Sequence, residues 1–160
     1  MLRRLSVLGV LIAVTGCVQD PSVPRLGSDA VSLSVHASLR EVHPGDVDTI
    51  TVSAVNTTGA ALRIVFSSTC QVLVYLKDAT GRTVIPAAGG YDCVAVPSLL
   101  NIPANDSIVQ QYVWDGGPAF IPPPTTTRMS AGTYFVTASL NGDVARAVSL
   151  GYRIDLFDQD

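Results

Sequence analysis

The sequence predicts an all-β fold, a sandwich of about seven to nine short antiparallel strands. Three observations carry this. From Val31 onward, apolar and polar residues alternate with a period of two, and no later stretch shows a convincing helical period. Clusters of Asn, Asp, Gly and Pro punctuate the apolar runs at short spacing. Aromatic residues are few, at 6%, while Val, Ser and Thr abound, which suits thin antiparallel sheets. Among such architectures the immunoglobulin-like sandwich fits best, with a closed barrel as the other arrangement.

The elements follow in order. Val31, Leu33, Val35, Ala37 and Leu39 define the inward face of a first strand, with Ser32, Ser34, His36, Ser38 and Arg40 outward. His43-Pro44-Gly45-Asp46 turns the chain, since Pro presets φ and Gly tolerates positive φ. Ile50, Val52 and Ala54 mark a second strand, which Asn56-Thr57-Thr58-Gly59 ends. Leu62, Ile64 and Phe66 mark a third, and Val72, Val74 and Leu76 a fourth. Asp78-Ala79-Thr80-Gly81 has the Asp and Gly of a type I turn, and a short strand follows near Thr83–Ile85. Residues 86–105 read as loop, with a short strand near Cys93. Ile108, Tyr112 and Trp114 share one face of the next strand, where Trp114 reads as a core anchor. Residues 115–130 contain four prolines and cannot be a central strand. Two final strands, 133–140 and 144–154, flank Asn141-Gly142-Asp143, a strong hairpin signal.

Ahead of this domain stands a different kind of sequence. Arg3-Arg4 is followed by the apolar run 5–14 and then Thr15-Gly16-Cys17, the three parts of an export signal. The run is too short to span a bilayer, which takes about 20 apolar residues. Val14-Thr15-Gly16-Cys17 resembles the lipobox of bacterial lipoproteins. That resemblance implies cleavage before Cys17, lipidation of its thiol and amine, and attachment to a membrane through more than one acyl chain, a stable anchor. Val18 stands where an Asp would mark retention at the inner membrane, so the expectation leans to the outer membrane. The organisation expected is a signal peptide over 1–16, a lipidated Cys and Pro/Gly-containing tether over 17–30, and one domain over 31–157.

Cysteine parity agrees. Cys17, Cys70 and Cys93 make an odd count, normally a sign of a free thiol in an exported chain. With Cys17 consumed by lipid, Cys70 and Cys93 are left to pair in an oxidising compartment. The spacing offers no C-x-x-C and no neighbouring His for zinc. Charge is also informative. Loss of Arg3 and Arg4 with the signal leaves eight basic against thirteen acidic residues, a composition unsuited to nucleic acid or anionic headgroups.

Catalytic chemistry has few ingredients here. His36 falls on a polar strand face and His43 in a turn; His43, Asp46 and Asp48 match no compact metal-site spacing. No nucleophile elbow, P-loop, dinucleotide fingerprint or H-E-x-x-H occurs. No enzyme activity, cofactor, metal or small-molecule substrate is expected. Asn56-Thr57-Thr58 and Asn105-Asp106-Ser107 match glycosylation sequons but read as turns in a bacterial envelope protein.

Three segments together carry a family resemblance: 62–84 (LRIVFSSTCQVLVYLKDATGRTV), 102–114 (IPANDSIVQQYVW) and 130–140 (SAGTYFVTASL). Over roughly 34–140 the chain resembles the intracellular proteinase inhibitor (BsuPI) family. The resemblance implies an immunoglobulin-like domain that binds a proteinase. Two features depart from it: the export signal with its cysteine pair, and the Pro-rich insertion at 115–129. That insertion is the part of the chain most suited to recognition, because Phe120 and Ile121 precede Pro122-Pro123-Pro124, a stiff polyproline II segment that loses little entropy on docking. Arg128 and Met129 at its end are the candidate specificity residues. The expected function is therefore a lipid-anchored envelope protein that binds another protein, with a structural module of an envelope complex as the alternative.

Overall fold

The computed structural model describes residues 30–120 and 127–158. Among these residues there are eleven strands and no α-helix: β1 (Val31–Ala37), β2 (Glu41–Val42), β3 (Asp48–Asn56), β4 (Leu62–Phe66), β5 (Val72–Asp78), β6 (Thr83–Ile85), β7 (Ser98–Ile102), β8 (Ser107–Trp114), β9 (Gly132–Asn141), β10 (Arg146–Val148) and β11 (Tyr152–Leu156). The predicted inward faces are the buried ones. Leu33, Ile50, Val52 and Trp114 from one sheet meet Val74, Leu76, Val136 and Ile154 from the other in a single core, to which Ile64 and Ile102 also belong.

One sheet runs β1-β3-β8 and the other β2-β11-β9-β5-β6, with β10 also pairing to β9; β4 and β7 form a separate ribbon. Immunoglobulin domains place strands A, B and E in one sheet and C, F and G in the other. Here β1, β3 and β8 hold the first set of places and β5, β9 and β11 the second, so the strand order itself makes this an immunoglobulin-like sandwich.

Eleven strands exceed the predicted seven to nine, and the pairing is not wholly antiparallel. After β1 the chain crosses between sheets, and β2 runs parallel to β11, Asp155 donating to the Arg40 carbonyl and Phe157 to that of Val42. The crossing is held by Asp48, a buried carboxylate whose Oδ1 accepts the Ser38 hydroxyl at 2.7 Å and the Leu39 N–H at 3.0 Å. The predicted final strand is broken in two. Val148 pairs with Ser139 and Tyr152 with Val136, so three residues oppose two, a β-bulge. Ser149 turns inward there, its hydroxyl accepting the Ala138 N–H at 2.8 Å, and Leu150 is thrown out to 92% exposure. The short strand expected near Cys93 lies later, at β7.

The predicted turn after β5 forms as written. Gly81, at φ +84°, donates to the Asp78 carbonyl, and the Thr80 hydroxyl, backed by Arg82, holds the Asp78 carboxyl down at about 2.

Asn56 ends β3 and staples one end of the sandwich. It is 1% exposed. Its amide nitrogen donates to the carbonyls of Ala60 at 2.8 Å, Ile102 at 3.1 Å and Pro103 at 2.8 Å, while its oxygen accepts the Thr58 N–H and hydroxyl. The sequon-like triplet is thus a turn built inward around the Asn side chain.

The β9–β10 hairpin is joined to β4 through Asp143, whose N–H donates to the Val65 carbonyl at 3.0 Å while its carboxylate accepts the Val65 N–H at 2.8 Å. Gly142 permits this approach, since a Cβ there would lie 2.1 Å from Ile64 Cγ2. Gly142→Ala should therefore lose about 1–3 kcal/mol of stability by overpacking, measured by urea unfolding. In the background of Ile64→Ala the same substitution should cost far less. Additivity of the two within about 0.5 kcal/mol would show that the contact does not carry the effect.

Candidate functional site

The inner face of β8 presents Ile108, Gln110, Tyr112 and Trp114 at alternate positions. Trp114 is fully buried, donates from Nε1 to the Gly117 carbonyl at 2.7 Å and meets the Tyr134 ring edge-on at 6.1 Å. That bond curls the chain just after β8, so that Pro118 and Phe120 fold back toward Tyr112. The Phe120 and Tyr112 ring centroids are 6.0 Å apart.

A second loop approaches from the other sheet. The chain leaves β6 through a cis Ile85-Pro86 bond and reaches Tyr91. Two residues on, Cys93 is bonded to Cys70, the two Cα atoms 5.6 Å apart. Thr69 N–H donates to the Val94 carbonyl at 3.0 Å, and the Ser98 hydroxyl to that of Ser68 at 2.6 Å. So anchored, Tyr91 covers the outer face of β5: its ring meets Tyr75 edge-on at 5.5 Å, and its hydroxyl donates to the Val74 carbonyl. Tyr75 is half-buried for that reason.

Between the two loops lies a groove of about 340 Å³, walled by Ile85, Pro86, Tyr91, Tyr112, Pro118 and Phe120. Burial, with Tyr112 and Tyr75 nearby, pushes the Tyr91 hydroxyl up to about 12, and burial also raises that of Tyr112. Both are neutral at physiological pH. The Tyr112 hydroxyl lies 2.9 Å from Gln110 Oε1, to which it donates, and Tyr91's is committed to the main chain, so the groove offers ring faces and no charge. Such a surface recognises apolar groups and extended polypeptide.

Of the expected binding-loop residues, Phe120 lines this groove. Arg128 and Met129 do not. Arg128 is half-buried and donates to three main-chain carbonyls, Asp115 at 3.0 Å, Val42 at 3.0 Å and Phe157 at 3.3 Å, clamping the loop to β2 and the chain end. Met129 packs on the core, and its N–H donates to the Gly116 carbonyl at 2.8 Å. Cys17 with its signal, the expected tether up to residue 29, and Ile121, Pro122, Pro123 and Pro124 lie outside the described residues, while Ala30, expected to end the tether, is buried in the core. Among the described residues no group of three His, Cys, Asp or Glu side chains is placed to hold a metal ion. His43 stacks on Phe157 at 4.7 Å, Asp46 accepts the His43 N–H, and Asp48 faces the core.

Sequence reasoning missed Tyr91, Pro86 and Tyr112 as site residues; Pro118 fell within the insertion read as the recognition segment without being singled out. Only the Tyr beside Cys93 carried a signal, since a disulfide fixes its neighbours.

No family model matches the chain, and no curated protein matches it. Some solved structures are distantly similar to it. A β-glucosidase, EmGH1, from Erythrobacter marinus is 15% identical with a TM-score of 0.47, over 79% of this chain and 15% of that one. The CARDB domain of the PF1109 protein from Pyrococcus furiosus, solved with di-metal ions, is 13% identical with a TM-score of 0.45, over 81% and 90% of the two chains. A β-glucosidase from Listeria innocua, solved with isofagomine, is 14% identical with a TM-score of 0.43, over 81% of this chain and 16% of that one. The chain spans under a fifth of either glucosidase, and at these identities the likeness assigns no activity. The strand order and the groove define the class: an immunoglobulin-like β-sandwich with an uncharged aromatic groove on its side.

Proposed function

We propose that this chain is a lipid-anchored protein of the bacterial cell envelope whose immunoglobulin-like domain binds another protein, with a proteinase as the partner that the family resemblance implies. The groove between Tyr91, Tyr112 and Phe120 is the observation that supports binding. The pairing of Cys70 with Cys93 supports the anchor, because it leaves Cys17 as the odd cysteine at the end of an export signal. The layout is consistent with both halves. Val31 pairs with Asn56 and Trp114 with Asp48, so the Pro-rich loop starts at the opposite end of the sandwich from residue 30. A tether attached there would point the loop away from the membrane.

Two measurements test the proposal. Cys17→Ser should move the protein from the membrane fraction to the soluble fraction and stop lipid labelling; continued labelling would remove the anchor. The full chain should slow at least one member of a serine proteinase panel at sub-micromolar concentration, and Phe120→Ser, with its melting checked, should weaken that inhibition. No inhibition across the panel would remove the proteinase from the proposal.

A further inference from the structure

Among the described residues β8 is the end strand of its sheet, paired with β3 on one side and with no strand on the other. In an antiparallel pair, alternate residues direct their N–H and C=O groups away from the partner. Along its eight residues β8 therefore carries a row of outward main-chain groups, of which the Ser107 N–H is taken by the Asp106 carboxylate at 2.7 Å. Among the described residues, no main-chain hydrogen bond from a loop reaches 107–114.

Natural sheets blunt such edges with charge, proline, a bulge or brevity. Ser107–Trp114 has none of these: SIVQQYVW holds no charged residue and no Pro or Gly, and its register with β3 is unbroken from Asp48 to Val55. Val109 is 57% exposed on its outer face. The other edges are short, covered or bonded: in the β4–β7 ribbon Val65 exchanges hydrogen bonds with Asp143, and the Leu99 carbonyl accepts Gln71 Nε2 at 3.1 Å. β2, β6 and β10 are two or three residues long, and β1 runs close to β9, β10 and β11.

The aromatic groove adjoins this edge, and Tyr112 belongs to both. A strand added to β8 would extend the sheet, and every second side chain would stand beside Ile108, Gln110 and Tyr112, over the groove. This is the arrangement in which main-chain bonds supply affinity and a pocket for alternate side chains supplies specificity. Neither β8 nor the groove wall offers a counter-charge, so a charged side chain entering there would be desolvated without compensation. We propose that β8 accepts, as an added strand, an extended uncharged segment of a partner protein whose alternate apolar side chains fill the groove.

The inference deepens the protein-binding half of the function proposed above and is independent of the lipid anchor and of proteinase inhibition. Its test uses the full chain and a fluorescein-labelled heptapeptide of alternating threonine and valine, blocked at both ends, read by anisotropy. Saturable binding is expected. Val109→Lys, which places a charge on the edge while leaving a surface position, should weaken it about tenfold or more. So should replacing the peptide valines with lysine. N-methylation of alternate peptide amides should abolish binding in one frame and spare it in the other, because only one set faces β8. Absence of binding, or equal binding of both N-methylated frames, would overturn the proposal. So would a dimer of the chain without peptide, seen by sedimentation and dissolved by Val109→Lys, since the edge would then belong to a second copy. Peptide binding without inhibition of any proteinase would uphold the edge and remove the inhibitor reading.

Discussion

Asn56→Asp is expected to lower stability by about 3–5 kcal/mol at neutral pH, although it exchanges only an amide for a carboxylate. The Asn56 nitrogen donates to three carbonyls, those of Ala60, Ile102 and Pro103. A carboxylate in its place turns three attractive contacts into repulsive ones in a fully buried site. The effect should depend on pH in a definite sense. The new carboxyl, buried against carbonyl oxygens, would have a folded pKa above its unfolded one, so the native state would bind the extra proton. The variant should therefore regain stability as pH falls through the folded pKa, opposite to the usual behaviour of an aspartate in a salt bridge. Urea unfolding of both proteins from pH 7 to pH 4 measures it. A deficit under about 1 kcal/mol at pH 7, or one that does not shrink on acidification, would show that this staple does not hold the end of the sandwich.

Removing the disulfide is expected to have the other large effect. The bridge closes a loop with a sequence separation of 23. Chain entropy alone makes that worth about 3 kcal/mol, and Cys70→Ala with Cys93→Ala should lose about that much. The consequence reaches the groove as well. Tyr91 stands two residues from Cys93, and its cover over Tyr75 depends on the anchored loop. The double variant should increase tyrosine accessibility to solvent quenchers and weaken peptide binding, while the β1-β3-β8 sheet keeps its hydrogen-exchange protection. Unchanged tyrosine accessibility would mean that the loop is held by its other contacts, such as Thr69 to Val94.

Much of the fold was legible because strands write their burial in a period of two. The inward residues of β1, β3, β4 and β5 follow directly from alternation at 31–37, 50–54, 62–66 and 72–76. β7 was expected too early, near Cys93, because Pro97 and Pro103 flank it and Leu99 and Leu100 are adjacent, so no alternation marks its place. Its role depends on pairing with β4, residues 98–102 against 62–66, which local sequence does not record. The bulge at Ser149 was hidden for the same kind of reason. Whether Ser149 faces in or out is decided by how β10 and β11 share β9, and a single serine carries no mark of that.

The candidate site divides along the same line. Phe120 was legible because it stands in a loop too rich in proline to be a strand. Arg128 looked like a recognition residue, yet its guanidinium is spent on carbonyls that lie 86 and 29 residues away in the chain, Val42 and Phe157. Local composition cannot foretell partners at that distance.

The sequence by itself determined the alternating strands and the hairpin and turn positions, because period and turn chemistry are local properties, and it led to the expectation that Cys70 pairs with Cys93, as the structure has it. Only the tertiary structure decided that β2 crosses to lie beside β11, that Tyr91 and Phe120 line one groove from loops of the two sheets, and that among the described residues β8 has no strand on its outer side. Those are outcomes of packing between segments far apart in the chain, where burial of the shared core selects one arrangement that no single segment specifies.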